Sequence, residues 1–223
     1  MTGQAVLEVI AGPVFEDRAG EITAWRERLL WYPPEVQRFA LAGAWWRIEE
    51  EFPFIGRTGA RGDDLGSRII AARIVRSIMQ IGYLLDRRWA PYAKWFGTVF
   101  RELPSAVTAA APLSEALDAD EWPARERALG SALTALAAHQ ASVGLPVVEP
   151  LMRPFFDRPF QSVAPMHAVL LEGVELGSLT GFPQLGPIEQ WADSAPALLN
   201  ADWRRAVVDG WMSKRAGTDL TPG

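Results

Sequence analysis

Apolar positions recur at spacings of three and four along most of the chain, and strand-like alternation is scarce, so the pattern predicts a helical protein. Ile22, Trp25 and Leu29 mark the inner side of a helix over Glu21–Leu30, which stops at Tyr32-Pro33-Pro34. A second helix, about Glu35 to Glu51, turns Val36, Phe39, Trp45, Ile48 and Phe52 inward. Gly56–Gly62 reads as a glycine-rich connector to the longest helix, about Asp63 to Arg87. Asp63 and Asp64 suit the positive end of its dipole, and Arg87 and Arg88 the negative end. At about 100° per residue, Ile70, Ile74, Ile78, Ile81 and Leu85 share one sector of that helix, a core stripe. Arg73, Arg76, Gln80, Tyr83 and Arg87 share another, a ladder of long donors, so both sides of the helix should be covered.

Pro91 opens a shorter helix through Trp95 and Phe100 to Leu103. Pro104–Asp120 reads as a loop with a short helix at Leu113–Leu117. Trp122-Pro123 starts a long helix that runs to Ser142 and closes at Gly144, with Leu129, Leu133 and Leu136 inside. Gly144–Pro159 holds four prolines and predicts an extended connector. Short helices follow at about 165–176, 187–200 and 202–214. The expected fold is an all-α, single-domain multi-helix bundle over residues 1–217 with a Pro-rich extended connector, and residues 218–223 are a frayed tail.

Composition narrows the chemistry. Lys and Arg number 22 against 27 Asp and Glu, a formal charge of −5, which argues against nucleic acid as a partner. With no cysteine there can be no disulfide, iron–sulfur cluster or thiolate zinc site, and the two histidines, 139 and 167, are too far apart for a metal motif. No metal and no cofactor are expected. The stretch Met1–Phe15 has no basic start, and the longest uncharged run, Ala128–Val148, carries Ser, Thr, His, Gln, Gly and Pro. A cytoplasmic protein with no membrane span is the expectation.

No phosphate-binding glycine loop, nucleophile elbow or zinc-protease helix occurs. What stands out is the arginine-rich middle, because a guanidinium fork binds phosphates and carboxylates. Arg57, Arg68, Arg73, Arg76, Tyr83, Tyr92, Lys94 and Trp95 are the candidate ligand-binding set, a basic, Trp-lined pocket for a polar or anionic metabolite. Surface pairing with neighbouring acids is the plainer role for any single arginine. Asp64, Tyr83, Lys94 and His139 are the acid–base candidates, although Asp64 also suits a helix start and His139 a structural role. Of the ten tryptophans, adjacent Trp45 and Trp46 cannot both face one core. Arg153–Phe160 could be a pocket-lining strap or a clasp over the bundle.

Five stretches together resemble a known family: Leu7–Phe15, Ile55–Thr58, Asp64–Arg68, Ala90–Gly97 and Arg153–Phe160. The resemblance, drawn over about Val6 to Asp209, is to a domain-of-unknown-function family of helical domains usually found C-terminal to nucleotidyltransferase domains. It implies a helical fold and a pocket in the role of the substrate-binding helical domain of small-molecule nucleotidyltransferases. The Gly-Ser turn and paired metal-binding aspartates of a nucleotidyltransferase core are not found here, so the expectation is a stand-alone helical domain. Three functions stay open. The first is a small-molecule-binding module, alone or partnering a separate nucleotidyltransferase chain. The second is a cofactor-free acid–base enzyme (cyclase, lyase or isomerase) of specialised metabolism, and the third is a purely structural interaction protein.

Overall fold

Proline and cap chemistry set the helix starts of the computed structural model, which describes residues 2–192 and 194–217. Thr2 caps α1 (Gly3–Ile10) by accepting the Ala5 N–H, and α2 (Glu21–Arg28) follows a left-handed Gly20. Pro34 and Pro53 sit in the first turns of α3 (Pro34–Glu51) and α4 (Pro53–Gly59), where the missing N–H is no loss. Asp63 caps α5 (Asp64–Leu85), its Oδ1 accepting the Gly66 N–H at 2.8 Å. Then come α6 (Ala93–Phe100), α7 (Ala106–Asp118) and α8 (Trp122–Ser142). The connector runs through a small antiparallel hairpin, β1 (Met152–Pro154) with β2 (Gln161–Val163), in which Met152 faces Val163. The chain continues as α9 (Met166–Leu171), α10 (Ile188–Trp191), α11 (Ala195–Leu199) and α12 (Ala201–Gly217). The protein is an all-α multi-helix domain with that one hairpin among the described residues.

The core lies where α3, α5 and α8 meet, with α4 and α7 packed beside them and α9 on the far side of α3. Ile74, Ile78, Ile81 and Leu85 are buried as the α5 stripe predicts, and Ile70 is half-buried at its edge. The opposite stripe is covered only in its middle: Gln80 and Tyr83 are buried and Arg76 half-buried, whereas Arg73 and Arg87 are exposed. Trp45 is fully enclosed and its Nε1 donates to Gln140 Oε1 at 2.9 Å, whereas its neighbour Trp46 is half-buried beside His167.

Four expectations change. Residues 53–59 are a helix, not part of a loose connector, because Gly56 lets Phe160 lie against the backbone: a Cβ there would meet Phe160 Cβ at 2.4 Å. Residues 106–118 form a full helix despite Pro112, because Ala109, Leu113 and Ala116 bury one face against α8 and offset the lost amide bond. The helix expected over 187–200 is two, since Pro196 opens α11 instead of continuing α10. The inner side assigned to α2 is outward: Ile22 and Trp25 are 46% and 58% exposed. What holds α2 is Arg26, whose guanidinium donates to the carbonyls of Val9, Ala11 and Gly12 at 2.9–3.0 Å, the C-terminal end of α1. The tail expected over 218–223 lies outside the described residues.

Candidate functional site

A narrow recess of about 60 Å³, open to solvent, lies where α1, α5, the start of α6 and α11 converge. Its walls are mainly apolar, from Phe96, Leu198 and Leu199, with Gln4, Arg76, Gln80, Tyr92 and Glu189 as the polar groups. Apolar walls with a few convergent polar groups are the usual make-up of a small-molecule site. Arg76 Nη1 donates to the Glu189 carbonyl at 3.2 Å, and its guanidinium carbon stands 5.5 Å from the Phe96 ring centre. The Glu189 carboxylate accepts the Gly3 N–H, and burial pushes its pKa up to about 7. That N–H and the charges of Arg76 and Arg204 oppose the rise and do not cancel it.

The arginine stripe divides. Arg76 and Tyr92 reach this recess, and Gln80 stands with them. Arg73, one turn earlier, is drawn away by Glu51 at 2.6 Å. Arg68 is bound to Asp64 at 2.6 Å and to the Asp120 carbonyl at 3.1 Å. Arg57 lies over the Phe54 ring and borders a different recess with Arg61, Arg158 and Phe160. Lys94 stands 5.0 Å from the Trp95 ring centre, and both are exposed on α6. The eight residues therefore do not line one cleft, and no tryptophan walls this recess.

The acid–base candidates stand elsewhere too. Asp64 is held below its ordinary pKa by its hydrogen bonds to Arg68 and Arg125, a charge that stays ionised. Tyr83 is a core residue whose O–H donates to the Phe96 carbonyl at 2.6 Å, and burial holds its proton on. His139 Nε2 meets Asp86 Oδ1 at 2.6 Å, and Asp86 Oδ2 accepts the Ser105 N–H, which ties α8 to the end of α5 and the start of α7. His167 is bound through its N–H and Nδ1 to Glu49, so that pair fastens α9 on α3. Burial raises the Glu49 carboxyl above its ordinary value.

Sequence reasoning missed Glu189 because its position depends on Gly3, 186 residues away. The one local signal is an acid set among Ile188, Gln190 and Trp191 just after a proline. It missed Arg125 as well, fully buried and bound to Ser67, Asp64 and the Ala119 carbonyl.

α1, α5 and the start of α6, which carry most of this recess, all begin within the first 96 residues. Residues 1–96 match DUF4037, a domain of unknown function. The DUF4037 match contains Gly3, Gln4, Arg76, Gln80, Tyr92 and Phe96, and leaves Glu189 and α11 outside it. Leu7–Phe15, Ile55–Thr58 and Asp64–Arg68 lie inside the DUF4037 match, Ala90–Gly97 lies inside it up to Phe96, and Arg153–Phe160 lies beyond it. No curated protein and no solved structure matches the chain. Among the described residues, no helix is long and apolar enough to cross a membrane, and no group of three or more His, Asp or Glu is placed to hold a metal ion.

Proposed function

We propose that the protein is a helical small-molecule-binding domain whose ligand occupies the recess between α1, α5, α6 and α11. The observation that carries this reading is the convergence of Arg76, Gln80, Tyr92 and Glu189 on one apolar recess. One arginine faces one carboxylate there, so the fitting ligand has an apolar body and a polar head, anionic where it meets Arg76 and hydrogen-bonding where it meets Glu189. A separate nucleotidyltransferase chain is the partner this reading would add. Acid–base catalysis is the second reading, favoured by a carboxyl whose pKa stands at about 7, a value suited to proton transfer near neutrality. In that case Glu189 is the base or acid, and not Asp64, Tyr83, Lys94 or His139.

A thermal-shift screen of nucleotides, sugar phosphates, aminoglycosides and acyl metabolites tests the reading. A ligand at about 100 times its Kd adds about 2.7 kcal/mol and raises Tm by several degrees. Arg76→Ala should abolish that shift while leaving the protein folded. A hit that survives Arg76→Ala at full size would remove the recess from consideration.

A further inference from the structure

A second, larger recess of about 320 Å³ lies on the other side of α10 and plays no part in the reading above. Tyr32 and Phe39 form its floor at the start of α3. Phe182 and Trp191 come from the segment that leads into and through α10. The third wall is one face of α12, where Arg204, Val207, Val208 and Trp211 recur at spacings of three, one and three and so share a single stripe. The aromatic rings are set against one another: Trp191 and Trp211 have ring centres 5.6 Å apart, and Phe182 meets Trp211 edge-on at 6.3 Å. Five aromatic side chains from three separate stretches of chain thus surround space that none of them fills.

One polar feature says what would fill it. Arg204 directs Nη1 to the Leu198 carbonyl, a neutral acceptor that leaves the guanidinium its charge. Its charge also reaches Glu189, whose carboxylate lines the first recess. Aromatic walls favour a flat ring system, and the arginine asks for negative charge.

We propose that this recess is a second ligand site, for a planar aromatic anion, with the ring system held between Tyr32, Phe182, Trp191 and Trp211 and the anionic group met by Arg204.

Two fluorescent probes of nearly the same ring shape test it: anilinonaphthalene sulfonate, which is anionic, and phenylnaphthylamine, which is neutral. The folded protein should bind the sulfonate saturably. Arg204→Met should weaken the sulfonate about tenfold and leave the naphthylamine within about twofold, the signature of a lost charge-assisted contact. Val208 stands at the exposed rim, so Val208→Trp keeps the fold, checked by circular dichroism, and should exclude both probes even if Arg204→Met does not fold. Arg76→Ala in the first recess should leave both affinities unchanged. Sulfonate binding that is unaltered by Arg204→Met and Val208→Trp, or that is lost in Arg76→Ala, would overturn the assignment, as would the absence of saturable binding to the folded protein.

Discussion

Glu189 receives the backbone N–H of Gly3 on both carboxylate oxygens, at 3.1 and 3.2 Å, across 186 residues of chain. The contact joins the first helix to the C-terminal segment and places a titratable group in the wall of the candidate site.

Its pH behaviour follows from its raised pKa. An ordinary glutamate releases its proton near 4.5, whereas Glu189 holds it to about 7. Between those values the folded protein binds the proton and the unfolded chain does not, so this group's contribution falls as pH rises through the window. The loss amounts to roughly 1–3 kcal/mol and is complete above about pH 7. Urea unfolding of the wild type and Glu189→Gln at pH 5 and pH 8 should show the variant gaining on the wild type by that amount at the higher pH. Parallel pH curves would mean an ordinary carboxyl.

Asp64 binds two arginines of opposite standing. Arg125 has a fully buried side chain, while Arg68 reaches the same carboxylate from the surface. Arg125→Ala should cost about 2–4 kcal/mol, since it empties a packed space and strips Ser67 and the Ala119 carbonyl of their donor. Arg68→Ala should change stability by no more than about 0.5–1 kcal/mol. Equal losses in chemical denaturation would contradict the difference in burial.

Two helical glycines should respond with opposite sign. Gly56→Ala forces a methyl group into Phe160 and should destabilise by about 1–3 kcal/mol. Gly97 lies inside α6 with nothing closer than Met79 Cε at 3.9 Å, so Gly97→Ala should stabilise by about 0.5–1 kcal/mol. Melting temperatures of the two variants decide the matter.

What the sequence discloses about the fold divides along the range of the forces involved. The α5 cap at Asp63 and the stripe through Ile74, Ile78, Ile81 and Leu85 are legible because both depend on neighbours within a few turns. The helix at 106–118 is hidden by Pro104 and Pro112, whose local preference loses to burial against α8. For the site, Arg76 and Arg73 look alike in sequence, and only the position of Glu51 on another helix separates the one that reaches the recess from the one that does not. Ile22 and Trp25 have the right spacing for a buried face and nothing to bury it against. Periodicity reports which residues share a side, not which side meets the protein.

Arg26 fastens α2 to three carbonyl oxygens and to no side chain of the α1 end. Carbonyls are common to all residues, so Val9 and Ala11 can be exchanged during divergence without loosening α2, whereas Gly12, at φ +81°, favours glycine. Arg26 has no such latitude. A lysine carries the same charge on a single nitrogen that cannot span three acceptors at once. In related chains, the position should therefore stay arginine while Val9 and Ala11 drift.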